Sequence, residues 1–83
     1  MKHNKRLKSA IIEVVENQID SNDPPETTQT LNRLISEGFS KNEAKELIGS
    51  VVAAEVFEIL KNGEKFDKNR YVTALNNLPK IPG

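Results

Sequence analysis

Cysteine and tryptophan are absent from this chain of 83 residues, and histidine occurs once, as His3. Without a thiol, the sequence offers no disulfide framework, no thiolate metal site and no cysteine nucleophile. The single histidine lies ahead of the first helical pattern, so no histidine base is positioned to activate a hydroxyl nucleophile. We therefore expect no enzymatic activity, no bound cofactor and no metal.

Long apolar runs are also missing. After the basic start, the first apolar residues span only 11–15 and are interrupted by Glu13. A signal peptide needs a longer apolar region, and a membrane span needs about 20 consecutive apolar residues. Together with the lack of cysteine, this predicts a cytoplasmic protein with no membrane partner.

The chain also lacks an excess of charge of either sign, because 12 lysine and arginine residues balance 12 aspartate and glutamate residues. A neutral chain has no global field that would attract nucleic acid. The basic residues near the start favour a solvated arm over residues 1–5. We therefore expect no nucleic-acid partner.

Helical periodicity is what the sequence does contain. Apolar residues recur at helical spacing in four stretches, about 6–21, 24–37, 41–62 and 68–78. The pattern predicts an all-α single domain, a compact bundle of four helices with a loose tail over 79–83. The third stretch is apolar around most of its circumference, which predicts that helix three is central.

Several polar residues and glycines predict where these helices begin and end. Asp23 precedes two prolines and is a candidate cap for helix two, and Ser40 with Glu43 forms a capping box for helix three. Asp67 can cap helix four in the same way. Gly49 in helix three indicates either a close approach of another helix or a tolerated glycine.

Two polar residues, Gln18 and Glu55, fall in the middle of apolar arcs where burial is expected. A buried carboxylate costs several kcal/mol unless it is paired, hydrogen-bonded or protonated. Candidate partners of Glu55 are Gln18, Tyr71, Arg70 and Lys45. Three interpretations stay open: a polar network of Gln18, Glu55 and Tyr71 that fixes helix register, a small-ligand or metal site centred on Glu55, or an outward-facing Glu55.

Two Glu-x-x-Glu pairs, Glu13 with Glu16 and Glu55 with Glu58, stand on two of the predicted helices. Four carboxylates on facing helices could hold two metal ions, although such sites usually add histidine. Glu13 and Glu16 also lie on the polar side of their helix. We interpret these pairs as solvated helix faces.

Phe57 interrupts an otherwise polar strip of helix three. It is either buried under the loop around Phe66 or part of an exposed docking surface. Because helix three has more apolar circumference than three short helices cover, the leading functional hypothesis is a non-enzymatic protein-interaction or regulatory module. Its partner would be an unknown protein or a second copy of the chain.

From Ile11 to Leu78 the chain resembles a family of small bacterial helical proteins catalogued only as a domain of unknown function. The matching segments are Glu-Asn-Gln-Ile at 16–19, Asp-Pro-Pro-Glu at 23–26, Gly-Phe-Ser at 38–40 and the segment 66–72. The resemblance implies a helical fold and no particular activity. In that family histidines commonly stand at the positions of Ile12 and Lys45, with a glutamate at Glu55, which implies a metal or proton site that this chain lacks the histidines to form.

Overall fold

Residues 5–82 are described by the computed structural model, apart from the side chain of Lys5. They form four α-helices without a strand in that range: α1 (Lys5–Ser21), α2 (Pro25–Ser36), α3 (Lys41–Asn62) and α4 (Lys68–Asn77). The predicted all-α bundle is confirmed, with each helix end within one residue of its predicted position. The basic arm expected over 1–5 lies outside the described residues except for the backbone of Lys5.

Two of the three predicted caps are present. Ser40 Oγ accepts a hydrogen bond from Glu43 N at 3.0 Å, and Ser40 N donates to Glu43 Oε1 at 2.8 Å, which completes the capping box of α3. Asp67 Oδ1 accepts a hydrogen bond from Arg70 N at 3.1 Å at the start of α4. Both helices therefore begin where local side-chain chemistry predicts.

The predicted cap of α2 is wrong. Asp23 is not the cap; Pro24 occupies that position in an extended conformation, φ −76° and ψ 150°, with no side-chain hydrogen bond. The residue before a proline avoids the helical conformation, so Pro24, which precedes Pro25, cannot be helical. The helix therefore starts one residue later than expected, at Pro25, whose missing N–H costs nothing there.

The end of α2 is a Schellman motif around Gly38, which has φ +106°. Phe39 N donates to Leu34 O and Gly38 N donates to Ile35 O, both at 3.1 Å. Phe39 then packs against the hydrophobic core. This turn sends the chain from α2 into α3.

The centre of the bundle is shared by two helices rather than held by α3 alone. Both α2 and α3 pack against all three other helices. α1 and α4 approach less closely and meet through the Tyr71 hydroxyl, which donates to Gln18. The core consists of buried apolar residues from all four helices and the turn after α4: Val15, Leu31, Leu34, Ala44, Ile48, Val51, Val52, Tyr71, Leu75 and Leu78.

α1 crosses α3 at Gly49. A Cβ atom at this position would lie 3.3 Å from Ile11 Cγ2 and 3.6 Å from Ile12 Cδ1. Beside the crossing, Lys8 Nζ lies 2.7 Å from Glu46 Oε2. The interpretation of Gly49 as a point of close helix approach is therefore confirmed.

After α4 the chain turns back along the bundle. Lys80 N donates to Asn77 O at 2.9 Å, and Pro82 is half-buried. Of the other residues expected to form a loose tail, Pro79, Lys80 and Ile81 are exposed. None of the helices within residues 5–82 combines the length and apolar character needed to cross a membrane.

Candidate functional site

Glu55 is buried between α3 and α4, with 7% of its surface exposed. Its Oε1 accepts a hydrogen bond from Arg70 Nε at 2.9 Å, and its Oε2 accepts one from the Arg70 guanidinium at 2.7 Å. Asp67 N also donates to Oε2, at 3.3 Å. The expected burial of Glu55 is confirmed, and its partner is Arg70, one of the four candidates. The pair holds the first turn of α4 against α3.

Arg70 also binds Glu64, in the loop before α4: Arg70 Nη1 lies 2.9 Å from Glu64 Oε2. The hydrogen bonds from Arg70 hold the pKa of Glu55 below the ordinary glutamate value, although burial opposes this shift. The two carboxylates in turn raise the pKa of Arg70. Glu55 is therefore ionised at neutral pH, and both of its oxygens are bound by protein groups.

A second polar network links three helices through Gln18. Its Oε1 accepts hydrogen bonds from Thr27 Oγ1 of α2 and from the Tyr71 hydroxyl of α4, both at 2.8 Å. Burial raises the pKa of Tyr71, so its hydroxyl stays protonated and donates. The network satisfies polar groups in the core and fixes the register of α1, α2 and α4.

The three residues predicted to form one site therefore belong to two networks. Gln18 joins Tyr71, whereas no hydrogen bond in residues 5–82 connects Glu55 to either of them. Sequence analysis missed Thr27, although it shares the inward-facing stripe of Leu31 and is fully buried. Thr27 stands four residues, or about one helical turn, before Leu31, and this spacing was the sequence signal that could have predicted its burial.

Three of the four glutamates considered for metal binding are engaged by other side chains. Glu16 Oε2 lies 3.1 Å from Lys45 Nζ, and Glu58 Oε2 accepts a hydrogen bond from Asn62 at 2.7 Å. Glu55 is bound by Arg70. Across the described residues, no group of three or more histidine, cysteine, aspartate or glutamate side chains is placed to hold a metal ion.

The exposed side of α3, called here the outer face, comprises Glu46, Ser50, Ala53, Val56, Phe57, Leu60 and Lys61. Phe57 is 61% exposed and Leu60 is 79% exposed. The prediction that Phe57 is buried under the loop around Phe66 is wrong. Phe66 packs on Tyr71 instead, with ring centroids 5.6 Å apart. Lys61 Nζ lies 5.8 Å from the centre of the Phe57 ring.

The outer face is uncovered because α1 crosses α3 at Gly49 and does not follow it further. The last three turns of α3 extend beyond this crossing, and their apolar residues on this side are exposed. Val56, Phe57 and Leu60 are neighbours there at helical spacing. They form one contiguous apolar patch.

Two open cavities flank Ser50, nearer the start of the outer face. One, of about 340 Å³, lies on the α1 side and is lined by Leu7, Lys8, Ile11, Ile12, Glu46, Gly49 and Ser50. The other, of about 390 Å³, lies on the opposite side and is lined by Phe39, Glu43, Glu46, Leu47, Ser50 and Ile81. Each cavity is lined by three apolar side chains and three polar or charged ones, so the outer face has both an apolar projection and recesses with partly apolar walls.

No protein-family model, curated protein or solved structure matches the chain. The resemblance over Ile11 to Leu78 therefore stays a prediction.

Proposed function

We propose that the chain is a non-enzymatic, cytoplasmic protein-interaction module that binds an α-helix of another protein chain on the outer face of α3. The observation that carries this proposal is the contiguous exposure of Val56, Phe57 and Leu60. Contiguous apolar patches on a small protein are characteristic of interaction sites. Their burial against a partner releases about 25 cal/mol per Å² of apolar surface.

The shape of the outer face favours a helix as the bound element. Ser50 and Ala53 are small, so a helix backbone can approach α3 closely between the larger side chains. Amphipathic helices bind such grooves through apolar residues at helical spacing. Phe57 supplies the kind of large, central side chain that often dominates binding energy.

The absence of enzymatic activity is proposed because Gln18 and Glu55, the two polar residues singled out in the sequence, are both hydrogen-bonded to other side chains of the chain. Gln18 is bound by Thr27 and Tyr71, and Glu55 is bound by Arg70. The cytoplasmic location is proposed from the lack of cysteine, which suits a reducing compartment.

The ligand alternative, a binder centred on Glu55, has less support. A cavity of about 370 Å³ does border Glu55, Arg70 and Pro82. However, both oxygens of Glu55 accept hydrogen bonds from Arg70, so the buried carboxylate needs no ligand to compensate its charge. The apolar patch, by contrast, stays exposed, although Lys61 Nζ lies 5.8 Å from the centre of the Phe57 ring.

Site-specific photo-crosslinking in cells tests the docking surface. A photo-reactive residue replaces Leu60 on the outer face, and a matched control replaces Asn17, which is exposed on α1. We expect one discrete product from position 60, identified by mass spectrometry, that disappears with Phe57→Lys and is absent from position 17. No product at position 60, or the same products at both positions, would overturn the proposal.

A further inference from the structure

The apolar projection and the recesses of the outer face lie two helical turns apart on the same helix. Phe57 projects into solvent, and the two cavities flank Ser50. At 1.5 Å per residue, these points are separated by about 10 Å along α3. A surface that carries both a projection and a matching recess can bind an identical surface in the opposite direction.

Charge follows the same arrangement. Glu46 stands at one end of the outer face and Lys61 at the other, about 22 Å apart along the helix. Both residues are equally far from the midpoint between Ala53 and Ala54, as are Ser50 and Phe57. An antiparallel pair of α3 helices centred on that midpoint places each Lys61 beside Glu46 of the other copy, where Glu46 Oε2 already lies 2.7 Å from Lys8 Nζ of its own chain.

We infer that the helix bound on the outer face is α3 of a second copy of this chain, packed antiparallel about a twofold axis between Ala53 and Ala54. Phe57 of each copy enters the recesses around Ser50 of the other, and Lys61 of each copy pairs with Glu46 of the other. This inference rests on the proposed function, because it names the occupant of the same face.

The overall charge of the chain is compatible with this partner. The formal net charge is zero at pH 7, so two copies do not repel each other at long range. The small residues at the proposed axis, Ala53 and Ala54, allow the two helix backbones to come close. The zero net charge and the small residues at the axis are both present on each copy, so two identical chains can form the pair.

A charge-exchange experiment tests the antiparallel pair. Glu46→Lys and Lys61→Glu are each measured alone and in an equimolar mixture by sedimentation velocity at low salt. Each variant alone sets like charges against each other twice per dimer, so we expect about tenfold weaker association than wild type. The mixture restores two opposite-charge pairs, so we expect it to associate as tightly as wild type.

The fold of each variant is checked by circular dichroism, and Phe57→Ala is included because it removes the projection without changing charge. We expect Phe57→Ala to weaken association at least about tenfold. A wild-type chain that stays monomeric up to about 1 mM overturns the inference. So does a mixture that associates no better than its components.

Failure of this inference is distinguishable from failure of the proposed function. If the purified chain is monomeric and position 60 still crosslinks to a different protein, the outer face is a docking surface for that protein and the second copy is excluded. If position 60 gives no product and the purified chain is monomeric, both proposals fail.

Discussion

Arg70 binds two carboxylates at once, and only one of them is buried. Its contact with Glu55 lies between α3 and α4, whereas its contact with Glu64 lies in the exposed loop. The buried contact is the more consequential one, because removing one partner would leave the other desolvated and unpaired. Exposed ion pairs contribute little by comparison.

Protonation of Glu55 should destabilise the fold. The hydrogen bonds from Arg70 hold the pKa of Glu55 below the ordinary value of 4.5. A carboxyl with a lower pKa in the folded chain stabilises the fold above its unfolded pKa, and this stabilisation is lost as the pH falls through the folded pKa. We expect Glu55→Gln to lower the free energy of unfolding by about 1–2 kcal/mol at neutral pH. The difference from wild type should shrink below pH 4.5.

Thermal unfolding of wild type and Glu55→Gln, from neutral pH to below pH 4.5, measures this difference in stability. Glu13→Gln, at an exposed position on α1, is the matched control, and its difference from wild type should stay small throughout. An equal destabilisation by Glu55→Gln at neutral and acidic pH would contradict the role given to Arg70.

The Tyr71 hydroxyl should stabilise the fold through Gln18. Tyr71→Phe removes a buried hydrogen bond of 2.8 Å, and we expect a loss of about 1 kcal/mol in the free energy of unfolding. Chemical denaturation in a double-mutant cycle with Gln18→Met measures the coupling. If Tyr71→Phe lowers the free energy of unfolding by the same amount in the Gln18→Met variant as in wild type, the hydroxyl does not act through Gln18.

The sequence allowed buried polar residues to be identified, but only some of their partners. Gln18 and Glu55 were recognisable because each interrupts an apolar arc of its own helix. A helical wheel gives the direction of a side chain but not the residue it meets on another helix. The sequence therefore could not decide whether Arg70 or Lys45 is the partner of Glu55. Thr27 was missed because a threonine is also common at exposed positions.

At the scale of the helices, the start of each one depends on a few local residues. Ser40 and Asp67 were predicted correctly because their hydrogen bonds involve residues only three positions away. Asp23 was predicted wrongly because the prediction considered its carboxylate and neglected the effect of Pro25 on Pro24. Local chemistry therefore predicts caps well where no proline restricts the preceding residue.

Two aspartates that each stand just before a helix should differ in their contribution to stability. Asp67→Ala removes the cap of α4, and we expect it to lower the free energy of unfolding by about 1 kcal/mol. Asp23→Ala removes no cap, and we expect a change within about 0.5 kcal/mol. Parallel denaturation curves compare them. A loss at Asp23 equal to that at Asp67 would contradict the assignment of Pro24 as the cap.

The crossing of α1 over α3 should tolerate no large side chain at Gly49. Ile11 Cγ2 lies 3.3 Å from where a Cβ atom would stand, so Gly49→Leu would force the two helices apart. We expect it to lower the free energy of unfolding by about 2 kcal/mol or more. Gln29→Leu, exposed on α2, is the control and should change stability by less than about 0.5 kcal/mol. Equal effects of the two variants in urea denaturation would refute the close approach.

At the scale of the whole molecule, the number of helices and their ends could be predicted because periodicity and punctuation are local signals. The packing of the helices could not, because it depends on where α1 crosses α3. That crossing exposes Val56, Phe57 and Leu60, and it also explains why α3 is not surrounded on all sides. The excess apolar circumference of helix three was visible in the sequence, whereas the location of its uncovered part was not.

The outer face of α3 is tested most directly by isotope-filtered NMR on an equimolar mixture of labelled and unlabelled chains at about 1 mM. Association through this face predicts intermolecular contacts between the Phe57 ring of one copy and the methyl groups of Ile12 and Leu47 of the other. The absence of intermolecular contacts, or contacts through Ile35 on α2 in their place, would contradict association of two copies through the outer face.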